Sequence, residues 1–219
     1  MNVVITGANR GIGLSFVKHY LAQGATVYAA CRTPSAELQH SGAEVLDGVD
    51  VGTDQGLKVL VDSLSGVSID LLINNAGILR NESLGDLNVA TIRDQFEINA
   101  LAPLRVTDAL AGQLSSGAKV ALITSRMGSI TDNTSGGRYG YRMSKAALNA
   151  AGMSLAQDLK SRGVAVAILH PGLVGTEMIG GVGDITPDQA AERLMERING
   201  LTLDNTGTFW HSSGEVLPW

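Results

Sequence analysis

Asn2-Val3-Val4-Ile5-Thr6-Gly7-Ala8-Asn9-Arg10-Gly11-Ile12-Gly13-Leu14 decides the fold: a β-branched run, a glycine-rich turn and the start of an amphipathic helix, in that order. A glycine pattern alone is weak, but one placed between a strand and a helix predicts a dinucleotide-type anion site. Glycines permit positive φ and remove the Cβ that would hold a pyrophosphate away, and the helix start offers unpaired N–H groups and a partial positive charge. Gly7, Asn9, Arg10, Gly11, Ile12 and Gly13 are therefore the candidate phosphate-binding residues. Their Gly-x-x-x-Gly-x-Gly spacing departs from the common Gly-x-Gly-x-x-Gly and points to a particular subgroup.

Outward from this turn, short apolar runs alternate with helical patterns. Strands are expected near 3–6, 26–31, 45–51, 69–74, 119–124, 164–170 and 208–211, and helices near 11–23, 53–64, 91–113, 141–162 and 187–199, with a weaker one near 34–40. Such alternation implies right-handed βαβ crossovers, hence a doubly wound, Rossmann-type α/β fold: a parallel sheet of about seven strands with helices on both faces. No fixed-period repeat, low-complexity tract or linker interrupts residues 1–219, so one domain is expected.

A net charge of −5 without a Lys/Arg run gives no footprint for nucleic acid or an anionic membrane. No apolar run approaches transmembrane length, and the start lacks a signal-peptide pattern. Cys31 is the single cysteine, which rules out an internal disulfide and favours a reducing, cytoplasmic setting. His19, His40, His170 and His211 lack ligand spacing, so no metal site is expected.

The second strand ends Ala30-Cys31-Arg32, where an NAD site usually places an acid on the ribose 2′-hydroxyl. No carboxylate stands there. Arg32, with Arg10 as a second cation, suits a 2′-phosphate, so NADP(H) is favoured and NAD(H) is the alternative. Asp50 and Val51 are placed either to meet the adenine or, through Asp50, to cap the helix starting near Thr53.

Tyr141-Arg-Met-Ser-Lys145 carries the chemistry, because residues four apart share a helix face. An ammonium about 4 Å away at an effective dielectric near 20 is worth roughly 4 kcal/mol and would draw a phenol from about 10 towards about 7. Tyr139 is a rival phenol, but its i+4 neighbour is the uncharged Met143. Ser125 ends the fifth strand sixteen residues before Tyr141, at a strand carboxyl end where open α/β sheets bind ligands.

With the glycine turn, Asn74-Asn75-Ala76-Gly77, Ser125 and Tyr141/Lys145 assembled, the chain resembles the short-chain dehydrogenase/reductase family over nearly its whole length. The resemblance implies that Tyr141 exchanges the substrate proton, Lys145 holds the nicotinamide ribose and acidifies the tyrosine, Ser125 orients a carbonyl, and Asn99 completes a tetrad. Pro103 adds a mechanism of its own: lacking an N–H, it frees the carbonyl of Asn99 and should kink the helix, making room for a water, and the resemblance implies that this water passes protons from Lys145 to solvent. Pro171, Gly172, Val174 and Thr176 resemble the family's segment over the nicotinamide. Asn75, Ala76 and Gly77 either contact the adenosine ribose or knit the central strands together.

Finer likeness, in Gly128–Asn133, Tyr139–Arg142 and the tail Leu217-Pro218-Trp219, is to the C-factor and sniffer-like carbonyl reductase branch. It implies hydride transfer from NADPH to a ketone, aldehyde or quinone, or incidental reductase activity in a signalling protein. Two departures stand out. Only about ten residues separate Thr176 from Pro187, so an open pocket is expected, and Arg126 directly after Ser125 is either a solvated side chain or a group that favours an anionic substrate. Ala146, Ala147, Ala150, Ala151 and Gly152 give the tyrosine helix a small-residue face for the sheet or a second subunit, and the family commonly pairs such helices in dimers or tetramers.

Overall fold

A computed structural model describes all of residues 1–219. Seven strands, β1 (Asn2–Thr6), β2 (Thr26–Ala30), β3 (Glu44–Leu46), β4 (Ile69–Asn74), β5 (Leu114–Ile123), β6 (Ala165–His170) and β7 (Phe209–His211), form one parallel sheet in the order β3-β2-β1-β4-β5-β6-β7. The helices are α1 (Gly11–Ala22), α2 (Ala36–Gln39), α3 (Asp54–Ser63), α4 (Val89–Phe96), α5 (Ala102–Leu110), α6 (Tyr139–Lys160) and α7 (Pro187–Asn199).

Alternation along each strand builds two cores. Val3, Ile5, Ala121, Ile123, Ala167 and Leu169 face Phe16, Val17, Leu194 and Ile198 of α1 and α7. Val4, Val120, Leu122, Val166 and Ile168 face Leu60, Val106, Leu148 and Leu155 of α3, α5 and α6. Period-2 strands buried on both faces read as continuous apolar runs, which is why they were visible in the sequence. Helix starts are set by side-chain caps: Thr53 accepts from Gly56 N–H at 3.0 Å, Asn88 from Thr91 N–H at 3.2 Å, and Thr186 with Gln189 forms a capping box before Pro187.

Strand order reverses between β1 and β4, which pair with Ile5 opposite Ile73. At such a switch point the following loops diverge and leave a crevice, and the glycine turn and Asn75 both lie there.

Three boundaries differ from the sequence reading. β3 ends at Leu46 because Gly48 turns the chain at φ 73° and Val49 N–H returns to the Cys31 carbonyl at 2.9 Å. β5 begins at Leu114 because an irregularity in its pairing with β4 extends the ladder upstream. The helix expected over 91–113 is four pieces: α4, a π-turn, α5 and a closing 3-10 turn, Ala111–Gln113. Around Pro103 the ladder widens into a π-turn, Glu97–Leu101, with Ala102 N–H bonded to the Glu97 carbonyl. The expected kink thus takes the form of a π-bulge, one of the ways a helix absorbs a missing donor.

Candidate active site

The turn after β1 has the shape an anion needs. Gly7 and Gly11 hold φ of 65° and 54°. A Cβ on Gly13 would lie 2.2 Å from the Gly7 carbonyl oxygen, so only glycine fits. Arg10, the N-cap of α1, offers no side-chain cap, which leaves the first-turn N–H groups open to a ligand. Ile12 packs against the core below. Asn9 is occupied: its Oδ1 accepts from Ser35 N–H and its carbonyl from Ser35 Oγ at 3.0 Å, tying the turn to the loop after β2. On that loop Arg32 is exposed and has no ion-pair partner, whereas Arg10 pairs with Glu177 across the cleft.

Asp50 does not cap α3. Its carboxylate accepts from Gly52 N–H at 3.1 Å while Thr53 supplies the cap. Val51 instead lies with Thr6, Asn74, Ala76 and Ile98 around a narrow gap at the ends of β1 and β4. Asn75 knits: its Nδ2 donates to the Thr6 and Gly7 carbonyls at 3.2 and 3.0 Å, and Thr6 Oγ1 accepts from the N–H groups of Asn75 and Ala76. Of the two roles open for this motif, its side-chain bonds show the structural one.

Ser125, Tyr141, Lys145 and Asn99 converge. Lys145, 4% exposed, donates from Nζ to the Ile123 carbonyl at 2.9 Å and stands 5.8 Å from the Tyr141 ring centre. Asn99, fully buried, accepts from Ile78 N–H and donates to the Ile78 carbonyl, both at 2.8 Å, and donates to Ser144 Oγ at 3.0 Å. Ser144 in turn donates to the Tyr141 carbonyl at 2.8 Å, so Asn99 is linked through it to the tyrosine's backbone. Gly77 lies between the two halves: a Cβ there would be 3.3 Å from Asn99 Oδ1 and 3.7 Å from Lys145 Nζ. Ser125 Oγ accepts from Met127 N–H at 3.1 Å, leaving its proton free to donate. Gly128 lets that loop press on α6, since a Cβ would meet the Lys145 carbonyl carbon at 2.7 Å.

The electrostatics correct one expectation. Burial raises the Tyr141 phenol above its ordinary value, and the groups opposing burial are the Ser125 hydroxyl and then Arg138, not Lys145. The ammonium is directed at Ile123, and burial lowers its own pKa to about 8. Arg126 is a second correction. It pairs with Asp132 and with Glu215 at 3.2 Å, so its charge is neutralised within the protein.

The sequence reading also missed a buried knot. Glu82, 3% exposed, accepts from Thr91 Oγ1 at 2.6 Å, Gln95 Nε2 at 2.7 Å and Gly140 N–H at 3.2 Å. It caps α6 from outside, next to Tyr141, where the local N-cap, Arg138, gives no side-chain bond. Only a carboxylate within a nondescript loop marked it in the sequence. Glu82→Ala is expected to cost about 2–4 kcal/mol by orphaning these donors, read as a lower urea midpoint with unchanged slope.

Pro171, Gly172, Val174 and Thr176 follow β6 in a short loop closed on itself by the Val174–Ile185 bridge, and a Cβ on Gly11 would lie 3.5 Å from Thr176 Cγ2. The segment therefore borders the glycine turn. His170 beside it has an unpartnered Nδ1, and burial, with His211 and Arg126, lowers its pKa to about 3. The fold also brings His19 within 2.8 Å of Asp188, next to Glu192, a grouping hidden by the sequence spacing. No helix is long and apolar enough to cross a membrane.

Fold and site together define a Rossmann-type α/β oxidoreductase. The short chain dehydrogenase family profile matches residues 1–198. A relative in Rhodococcus sp. strain AD45, 1-hydroxy-2-glutathionyl-2-methyl-3-butene dehydrogenase, is 42% identical over 99% of both chains. The C-signal protein of Myxococcus xanthus is 44% identical over 69% of this chain and 93% of its own. Among solved structures, the NADPH-bound carbonyl reductase from chicken fatty liver superposes with a TM-score of 0.91 at 31% identity, covering 100% of this chain and 98% of that one. The chain belongs to the short-chain dehydrogenase family.

Proposed function

We propose that residues 1–219 act as one cofactor-binding unit that transfers hydride between NADP(H) and a carbonyl/alcohol pair (ketone, aldehyde or quinone reduction and its reverse), with NAD(H) the alternative cofactor. The convergence of Ser125, Tyr141, Lys145 and Asn99 beside a glycine-lined cleft carries this reading. The cleft suits a dinucleotide: the open start of α1 and Gly7, Gly11 and Gly13 for the pyrophosphate, Val51 and Ala76 at the adenine side, and Lys145 for the nicotinamide ribose. Bound NADPH supplies the hydride. Ser125 donates a hydrogen bond to the carbonyl oxygen, and Tyr141 gives that oxygen its proton as negative charge develops there. Lys145 refills the phenol, and the π-turn at Asn99 is where a water would link Lys145 to solvent.

Arg32 would bind the 2′-phosphate, since it is the unpaired cation after β2. Arg32→Ala is expected to raise the KM for NADPH about tenfold or more, a loss of about 1.4 kcal/mol or more, and to leave that for NADH nearly constant. Consumption of NADPH and NADH across aldehydes, diketones, isatins, quinones and steroids tests the whole reading, and no consumption with any of them rejects it. Likeness to C-signal supports a second reading, a signalling protein whose chemistry is incidental. We place the protein in the cytoplasm as a homo-oligomer, with exposed Phe96, Leu101, Leu104 and Met143 of the α4–α6 side as the contact face.

A further inference from the structure

Gly136, Gly137 and Arg138 hold three consecutive left-handed conformations, φ 62°, 63° and 49°. Glycine does this freely, but Arg138 is the only non-glycine residue of the chain with positive φ, and such a conformation costs an L side chain roughly 1–2 kcal/mol. It is fixed by Arg138 N–H donating to the Glu82 carbonyl at 2.7 Å and by Arg142 N–H donating to the Arg138 carbonyl at 2.9 Å. Arg142 reinforces the turn through Ser135 Oγ at 2.8 Å.

This turn carries a guanidinium to the catalytic loop. Nη1 of Arg138 lies 3.7 Å from Sδ of Met127, whose N–H bonds Ser125 Oγ, and the charge reaches the Tyr141 phenol. The carboxylates of this region are committed elsewhere: Asp132 and Glu215 pair with Arg126, and Glu82 accepts from Gly140, Thr91 and Gln95. Arg138 belongs to no ion pair. A strained backbone that holds an unneutralised cation beside reacting groups points to a ligand charge.

We propose that the carbonyl substrate carries a carboxylate away from its reacting carbon, and that Arg138 is the group that receives it. A single unpaired guanidinium matches one negative charge, which favours a carboxylate over a dianionic phosphate. The assignment rests on the hydride-transfer reading, and it moves the anion site from Arg126 to Arg138.

Matched substrates test it: carboxybenzaldehydes and succinic semialdehyde against their methyl esters, with NADPH and NADH. In the wild type the acid is expected to exceed its ester in kcat/KM by about tenfold in at least one pair, mainly through KM, and the ratio should shrink with added salt. Arg138→Gln should bring that ratio to about one, Arg138→Lys should retain most of it, and Arg126→Gln should not alter it. Because acid and ester are compared on the same variant, any common change in Tyr141 cancels. Esters turned over as well as acids in every pair, or a ratio that survives Arg138→Gln or is insensitive to salt, overturns the assignment and leaves hydride transfer standing. No turnover of acids, esters or the wider carbonyl panel overturns both.

Discussion

Replacing Tyr141 by phenylalanine is expected to lower kcat/KM for carbonyl reduction by about a thousandfold, a loss of roughly 4 kcal/mol of transition-state stabilisation. The substitution is confined to one atom. The ring keeps its place 5.8 Å from Lys145 Nζ, the Tyr141 carbonyl still accepts from Ser144, and Ser125, Lys145 and Asn99 keep their own bonds. The fold and cofactor affinity should therefore survive, which separates chemistry from binding. Burial holds the phenol above its ordinary value, so the donor form needed for reduction persists into alkaline solution, while alcohol oxidation, which needs phenolate, should climb with pH. NADPH oxidation rates and cofactor binding on the same preparation check this. A variant that keeps a tenth of the activity would show that another group supplies the proton. A variant without reductase activity that still supports a biological phenotype would favour the signalling reading.

The parts legible in the sequence were those where backbone geometry dictates residue type. Gly7 and Gly13 announce a turn because nothing larger fits, Gly11 because its φ of 54° favours glycine, and the two-faced strands announce a parallel sheet because both faces are covered. Pro103 announced a distortion at Asn99 for the same reason, although whether a helix kinks or widens depends on its packing. What stayed hidden depends on contacts between distant segments. Glu82 lies fifty-eight residues from the Gly140 N–H it caps, and of the two carboxylates on Arg126 one, Glu215, is eighty-nine residues away, although the other, Asp132, is only six residues on. The charge balance at Tyr141 was hidden in the same way. Helical spacing puts Lys145 on the right face but does not reveal that its Nζ turns to Ile123, nor that burial outweighs the nearby charges. Sequence spacing thus singled out the candidate groups, while their charge balance depends on the tertiary structure.

Lys145→Met is expected to abolish reduction and yet stabilise the free protein at neutral pH. Burial depresses the lysine from 10.5 to about 8, so between those values the unfolded chain binds the proton and the folded chain does not. Stability therefore rises with pH across that window, and below about 8 the folded state bears the full cost of a buried ammonium, about 3 kcal/mol at 1.36 kcal/mol per unit. Methionine removes that cost but also removes the 2.9 Å bond to the Ile123 carbonyl, worth about 1 kcal/mol. A net gain of about 2 kcal/mol at pH 7 corresponds to a rise in Tm of about 4–8 °C for a chain of this size. Above pH 10.5 the lysine is neutral in both states, so the advantage should vanish and the missing hydrogen bond should leave the variant slightly less stable. Thermal unfolding of both proteins from pH 6 to 11 reads this directly, and a variant less stable than wild type at pH 7 would contradict it. In the proposed mechanism the same buried position accounts for the functional loss: methionine could neither hydrogen-bond a ribose hydroxyl nor return a proton to Tyr141, so the charge that destabilises the fold is the one the proposed reaction would use.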